Sequence, residues 1–144
     1  MKFIDNVKVE ESMEIVVVDG QGGGIGRSVI TALKEKYPNI SIIGVGTNSI
    51  ATTNLKKGGA DIIATGENAV IYNVIHADIV IGPIGIAFAN SMYGEITPAI
   101  AQAVSESEAQ KYFIPISKCS AHVVGVVSKT IPQYIEELVA LLNI

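Results

Sequence analysis

Apolar positions along the chain follow two patterns: short continuous runs, and longer stretches with an apolar residue every third or fourth position. The continuous run from Ile15 to Val18 is typical of a parallel strand that is covered on both faces. After a glycine-rich turn, an apolar residue recurs at every fourth position, at Ile25, Val29, Leu33 and Tyr37. This spacing predicts a helix with one apolar stripe.

The same alternation of strands and helices continues to the end of the chain. Further strands are predicted at 40–45, 61–64, 78–81, 111–115 and 123–127, and helices at 51–57, 68–76, from Thr97 onward and from Thr130 onward. The segment Thr130-Ile131-Pro132-Gln133 has capping-box spacing. Repeated strand–helix units predict an α/β fold, a Rossmann-like, doubly wound and mainly parallel sheet with helices on both faces. The 144 residues contain no linker or repeat, which predicts a single domain over 1–144.

The glycine-rich turn is the first candidate site. Five of its seven residues are glycine, so another group can approach the backbone closely, and the free N–H groups of the next helix favour an anion. We therefore predict that it binds a nucleotide or dinucleotide, through Gly20, Gln21, Gly22, Gly23, Gly24, Ile25, Gly26 and Arg27. The alternative is that the glycines serve only a tight turn and close helix–sheet packing, and that Arg27 pairs with a surface acid.

The spacing Gly20-xxx-Gly24-Ile25-Gly26 resembles the glycine turn of short-chain dehydrogenases, which implies NAD(P) as a cofactor. The resemblance covers roughly the first βαβ unit. Those enzymes use a Tyr-xxx-Lys pair, and no tyrosine here has a lysine four residues on, so no catalytic residue is carried over. The ribose-binding acid expected about 20 residues beyond the glycines is missing. Thr47 and Asn48 stand in its place and can hydrogen-bond a ribose hydroxyl.

A carboxylate directly before the glycines constrains the phosphate hypothesis. Asp19 would repel a bound phosphate unless it is turned away, holds the N–H groups of the loop, or shares a metal ion. Which of these applies is open from the sequence.

In doubly wound sheets, ligands bind beyond the carboxyl ends of the strands, where the strand order reverses. Among the segments predicted to lie there, 82–95 is the most unusual, because it is long and uncharged up to Glu95. We predict that it covers a ligand, with Gly82 and Asn90 as binding residues and with Asn90, Ser91 and Glu95 supplying the polar groups. The alternative is that its apolar residues Ile84, Ile86, Phe88 and Met92 pack into a subunit interface.

Composition narrows the choice of partners. The chain is 49% hydrophobic and 17% charged, richer in apolar residues than a lone domain needs, so we expect a homo-oligomer. A net charge of −4 without a basic run argues against nucleic acid. The single cysteine, Cys119, fits a reducing cytoplasm. With His122 it supplies only two ligands, so no metal site is predicted, and nothing indicates a membrane segment or secretory signal.

Five motifs give the whole chain a family resemblance: Asp-Gly-Gln-Gly-Gly-Gly-Ile-Gly at 19–26, Gly-Thr-Asn at 46–48, Ala-Thr-Gly-Glu-Asn-Ala at 64–69, Gly-Pro-Ile at 82–84 and Asn-Ser-Met-Tyr-Gly-Glu-Ile-Thr-Pro at 90–98. With them, the chain resembles an uncharacterised bacterial family of about this length, a domain of unknown function. The resemblance implies a bacterial, cytoplasmic, Rossmann-like protein with no assigned activity.

Three functions remain open at this point. The first is a module that binds a nucleotide or dinucleotide without catalysis. The second is a small enzyme acting on a phosphorylated or nucleotide substrate, with Asp19, Asn90 and Glu95 in the crevice. The third is a non-catalytic, oligomeric interaction protein. The first leads, because a binding loop is predicted while no catalytic set can be assembled.

Overall fold

A computed structural model describes residues 2–4, 7–9, 13–116 and 121–144. Five parallel strands form the central sheet, in the order β5-β4-β3-β6-β7: β3 (Ile15–Asp19), β4 (Ile42–Gly46), β5 (Ile62–Thr65), β6 (Ile79–Pro83) and β7 (Gln110–Ile114). Before it, β1 (Lys2–Ile4) and β2 (Val7–Val9) pair antiparallel as a separate two-stranded sheet. The helices are α1 (Gly24–Lys36), α2 (Ser49–Gly58), α3 (Glu67–His76), α4 (Pro98–Glu106) and α5 (Ile131–Leu141).

Strand β3 is buried on both faces. Ile15 and Val17 belong to the core that α1, α2 and α5 cover, whereas Val16 and Val18 belong to the core that α3 and α4 cover. This is why the strand reads as a continuous apolar run instead of an alternating one. The predicted Rossmann-like, doubly wound α/β fold is confirmed.

The predicted elements are confirmed with one exception. The strand predicted at 123–127 is wrong, because these residues form a turn in which the N–H of Val126 donates to the carbonyl oxygen of Val123 (3.3 Å). Gly125 adopts a φ of +88° and Val124 is 99% exposed. A run of β-branched residues favours a strand, but these valines pair with no strand in the part of the chain that the structure describes, and the glycine turns the backbone instead.

The start of α5 is confirmed in detail. Thr130 accepts a hydrogen bond from the N–H of Gln133 (3.3 Å), and the Gln133 side chain accepts one from the N–H of Thr130 (2.9 Å). This is the predicted capping box. Ile135 and Leu138 on the following turns are buried against the sheet.

Gly82 lies where β6 crosses close to β3. A Cβ atom at this position would be 2.4 Å from the carbonyl oxygen of Val18 and 2.9 Å from Cδ1 of Ile86. The backbone of β3 cannot give way without disturbing the strand pairing.

We therefore expect Gly82→Ala to lower the free energy of unfolding by about 1–3 kcal/mol, as overpacking of a core does. Denaturant unfolding measures this loss. Gly22→Ala is the matched control, since a Cβ at Gly22 meets nothing within 4 Å, and it should change stability by less than about 0.5 kcal/mol. Equal stability of both variants would show that Gly82 is not held by packing.

Candidate functional site

A cavity of about 690 Å³, here called the crevice, opens beyond the carboxyl ends of β3 and β6. This is the point where the strand order reverses, with β4 on one side of β3 and β6 on the other. Ligands bind at such points in open α/β sheets. One wall is residues 19–25, and the other is Pro83 with residues 89–93, Ile116 and Ile131 completing the lining.

The five glycines of the loop divide into two groups. Gly20, Gly23 and Gly26 are packed: an added Cβ would lie 2.7 Å from Sδ of Met92 at Gly20, 2.8 Å from the Ala51 backbone at Gly23 and 2.4 Å from Cδ2 of Leu55 at Gly26. Gly22 and Gly24 face open space, with nothing within 4 Å. Packing therefore explains three of the glycines. It leaves Gly22 and Gly24, which line the crevice together with Gly20 and Gly23, without a structural need for glycine.

The N–H groups of the loop also fall into two groups, those that donate to an acceptor within the protein and those that do not. Gly23 donates to the carbonyl oxygen of Gly20 (2.9 Å), and Gly20 and Gly26 donate to Asp19. The N–H groups of Gly22, Gly24 and Ile25 have no acceptor among the residues that the structure describes. They are available to an acceptor in the crevice.

Asp19 holds the loop in place from below. Its Oδ1 accepts the N–H of Gly20 and its Oδ2 accepts the N–H of Gly26, both at 2.7 Å. Of the roles that the sequence left open for this carboxylate, the geometry therefore places it on the N–H groups of the loop. Burial raises the pKa of Asp19 from 3.8 to about 6, although these two hydrogen bonds oppose the rise, and the Glu95 charge adds to it.

The raised pKa makes stability depend on pH. The folded protein binds the Asp19 proton more tightly than the unfolded chain does, so stability is lost as pH rises from about 4 to about 6. The loss attributable to this group is about 3 kcal/mol. Relative to Asp19→Asn, which cannot titrate, the wild type should lose about 2 kcal/mol of this stability between pH 4 and 6 in denaturant unfolding, and the rest within about one pH unit on either side. A difference between the two proteins that stays constant with pH contradicts this origin.

Glu95 ties three loops together at the edge of the crevice. Its Oε1 accepts the N–H of Gln21 (2.9 Å), the hydroxyl of Thr47 (2.7 Å) and the side-chain amide of Asn48 (2.7 Å). Burial raises the pKa of Glu95, but these three hydrogen bonds outweigh it and hold the pKa below its usual range. A carboxylate from the loop after β6 therefore lies beside Thr47 and Asn48, where the sequence after β4 has no acid.

We expect Glu95→Ala to release this junction. The Gln21 amide loses an acceptor that is charged, which corresponds to about a 10- to 100-fold faster hydrogen exchange. Exchange measured by NMR provides its own control, because the Gly26 amide is held by Asp19 and should keep its protection. Equal acceleration at both amides would indicate general unfolding, and Glu95→Gln should retain most of the protection.

The predicted binding residues fall into two sets. Gly20, Gln21, Gly22, Gly23, Gly24, Ile25 and Asn90 line the crevice, whereas Gly26, Arg27, Thr47, Asn48 and Gly82 are not part of its lining. Arg27 donates from Nη1 to Oδ1 of Asn54 (3.1 Å) and is turned toward α2. Thr47 and Asn48 already donate to Glu95.

Ser91, predicted to supply a polar group, lies beside Asn90 in the second wall. Sequence reasoning did not assign several other lining residues to the site. Met92 and Tyr93 also lie in the second wall, and the uncharged segment after β6 was the signal that pointed to them. Ile116 and Ile131 come from distant parts of the chain, and no local pattern marks them.

The second wall is a tightly bonded loop with an unusual backbone. Three of its non-glycine residues have positive φ, namely Asn90 (66°), Met92 (55°) and Tyr93 (56°). The N–H of Asn90 donates to the carbonyl oxygen of Ile96 (2.6 Å), and the buried Ser91 hydroxyl donates to the carbonyl oxygen of Gly85. The loop is therefore held in one shape.

Of the apolar residues before this loop, some are buried in the core and others are exposed. Ile86 is fully buried in the core beneath α4, so its predicted place in a subunit interface is wrong. Phe88 is 38% exposed. Ile86 faces inward because the 3-10 turn at Ile84–Ala87 folds the chain back over the sheet.

Two further features concern metals and membranes. Within the residues that the structure describes, no three His, Cys, Asp or Glu side chains lie together where they could hold a metal ion. Cys119 lies outside the described residues, and His122 is exposed. Among the helices of the described ranges, none combines the length and apolar content that crossing a bilayer requires.

Comparison with known sequences identifies the family. A family model described as a domain of unknown function, DUF3842, matches residues 14–143. The chain belongs to this family. The match confirms the resemblance that the five sequence motifs indicated, and it covers every element from β3 to α5. No curated protein matches the sequence.

Two solved structures resemble the structure of this DUF3842 chain. A universal stress protein in complex with cAMP has 15% identity and a TM-score of 0.42, over 72% of this chain and 98% of that one. A dodecameric FMN-dependent UbiX-like decarboxylase from Escherichia coli O157:H7 has 20% identity and a TM-score of 0.47, over 90% and 75%. At these identities the likeness concerns the fold and nothing finer.

Proposed function

We propose that this protein binds a nucleotide-type ligand in the crevice, with a phosphate group on the glycine loop. The observation that carries the proposal is the set of N–H groups at Gly22, Gly24 and Ile25, which have no acceptor among the described residues and border the crevice. Gly22 and Gly24 leave the backbone open to the approach of a ligand atom.

The size and chemistry of the crevice support the proposal. A volume of about 690 Å³ lies within the usual range for small-molecule sites. Pro83, Ala89, Ile116 and Ile131 supply apolar surface, while Gln21, Asn90 and Ser91 supply polar groups. This mixture suits a ligand with both a phosphate and a less polar body.

Charge favours a ligand with few phosphate groups. Asp19 is the one charged residue among the described lining residues, and its carboxylate already accepts an N–H from the first turn of α1. The helix terminus therefore has less positive potential left for an anion. A nucleoside monophosphate fits this balance better than NAD(P) or a triphosphate.

An oligomeric interaction protein is the second candidate, and one observation favours it. The edge strand β5 exposes Ile62 (56%) and Ile63 (39%), and its outer backbone groups are unpaired in the sheet. Such an edge can pair with a second copy of the same chain. An enzymatic role gains no comparable support, since both oxygens of Asp19 and Oε1 of Glu95 are engaged in holding loops.

We expect Gly24→Val to abolish nucleotide binding and to leave the fold intact, because Gly24 lines the crevice and an added Cβ there would meet no atom within 4 Å. In a thermal-shift panel of nucleoside mono-, di- and triphosphates, NAD and NADP, a bound ligand at a hundredfold excess over its Kd adds about 2.7 kcal/mol to the wild type. The variant should lack this gain.

Ala99→Val is the control, an exposed alanine in the first turn of α4 that does not line the crevice. It should keep the ligand response. If no nucleotide stabilises the wild type, or if Gly24→Val loses stability without any change in ligand response, the proposal is wrong. Native mass spectrometry of the same samples reports the subunit number that the second candidate requires.

A further inference from the structure

The Tyr93 side chain combines three features that the packing of the fold does not explain. It is 92% exposed, its backbone has a φ of 56°, and it borders the crevice. A left-handed backbone is unfavourable for a residue with a Cβ, because the Cβ comes close to the backbone carbonyl oxygen. A large aromatic side chain at such a position, with its ring in water, does not stabilise the free protein.

The loop holds Tyr93 firmly despite this cost. After Tyr93, the N–H of Gly94 donates to the carbonyl oxygens of Asn90 and Ser91, both at 3.2 Å, and Glu95 accepts the N–H of Gln21. Before Tyr93, Met92 packs its sulfur against Gly20. Strain of this kind persists where surrounding contacts over-determine the backbone, and such places are concentrated at ligand sites.

We infer that Tyr93 is a stacking platform for the planar base of the ligand, and therefore a residue that determines specificity for nucleotides over simple phosphates. The inference rests on the proposed function and deepens it. Residues 20–25 and residues 89–93 line the same cavity, so a ligand whose phosphate lies on the glycine loop shares that cavity with Tyr93.

The chemistry of the two walls indicates which end of the ligand each wall would bind. Unpaired N–H groups attract the phosphate, whereas the negative face of an aromatic ring does not. Bases of every kind stack on aromatic rings, so the platform selects for a planar ring and not for one particular base. Because the loop is already ordered, little conformational entropy is lost when the base binds.

Binding of AMP, adenosine and pyrophosphate to the full chain, measured by calorimetry, tests the inference. Tyr93→Asn removes the ring and suits a left-handed backbone, while Tyr93→Phe keeps the ring. We expect Tyr93→Asn to weaken AMP and adenosine binding by about 10- to 100-fold and to leave pyrophosphate binding unchanged. Tyr93→Phe should stay within about twofold of the wild type, since stacking needs only the ring.

The probes separate failure of the inference from failure of the proposed function. If AMP binds no tighter than pyrophosphate, or if Tyr93→Asn binds AMP as the wild type does, the platform is wrong and the phosphate site stands. If adenosine binds in a Tyr93-dependent way while pyrophosphate does not bind, the phosphate site is wrong and the platform stands. If none of the three probes binds the wild type, both are wrong. Equal weakening of all three by Tyr93→Asn would indicate a structural role, which also overturns the inference.

Discussion

The site depends on one buried carboxylate. Asp19 ends β3 with both oxygens bonded to N–H groups of the loop that follows, at Gly20 and Gly26. These bonds fix the loop between its first and last glycine and bring the start of α1 against the sheet. The Asp19 carboxylate therefore already offsets part of the positive potential at the N-terminus of α1. The N–H groups in the middle of the loop are what remains for a ligand.

Glu95 performs a complementary task at the edge of the crevice. It joins the loop after β3, the end of β4 and the loop after β6 through one oxygen atom. The second wall of the crevice is thereby attached to the first. The left-handed residues of that wall, Met92 and Tyr93, are tolerated because bonds on both sides hold them. A rigid crevice with an exposed aromatic ring at its rim is the result.

The glycine-rich loop shows how far a motif can be interpreted. The sequence left two explanations, ligand binding and packing, and the geometry shows that packing accounts for some of the glycines and not for others. Gly23 and Gly26 are required because α2 approaches α1 closely, at Ala51 and Leu55. Gly22 and Gly24 have no such neighbour. A count of glycines cannot make this distinction, because it depends on which element lies opposite each residue.

The sequence by itself determined the doubly wound sheet, since buried parallel strands and amphipathic helices leave local patterns in β3, α1 and the capping box of α5. It also located the glycine loop and the unusual segment after β6. Only the tertiary structure decided that Glu95 lies beside Thr47 and Asn48, that Arg27 turns to Asn54, and that residues 123–127 form no strand. These outcomes depend on contacts between residues far apart in the chain, and neither periodicity nor spacing records such contacts.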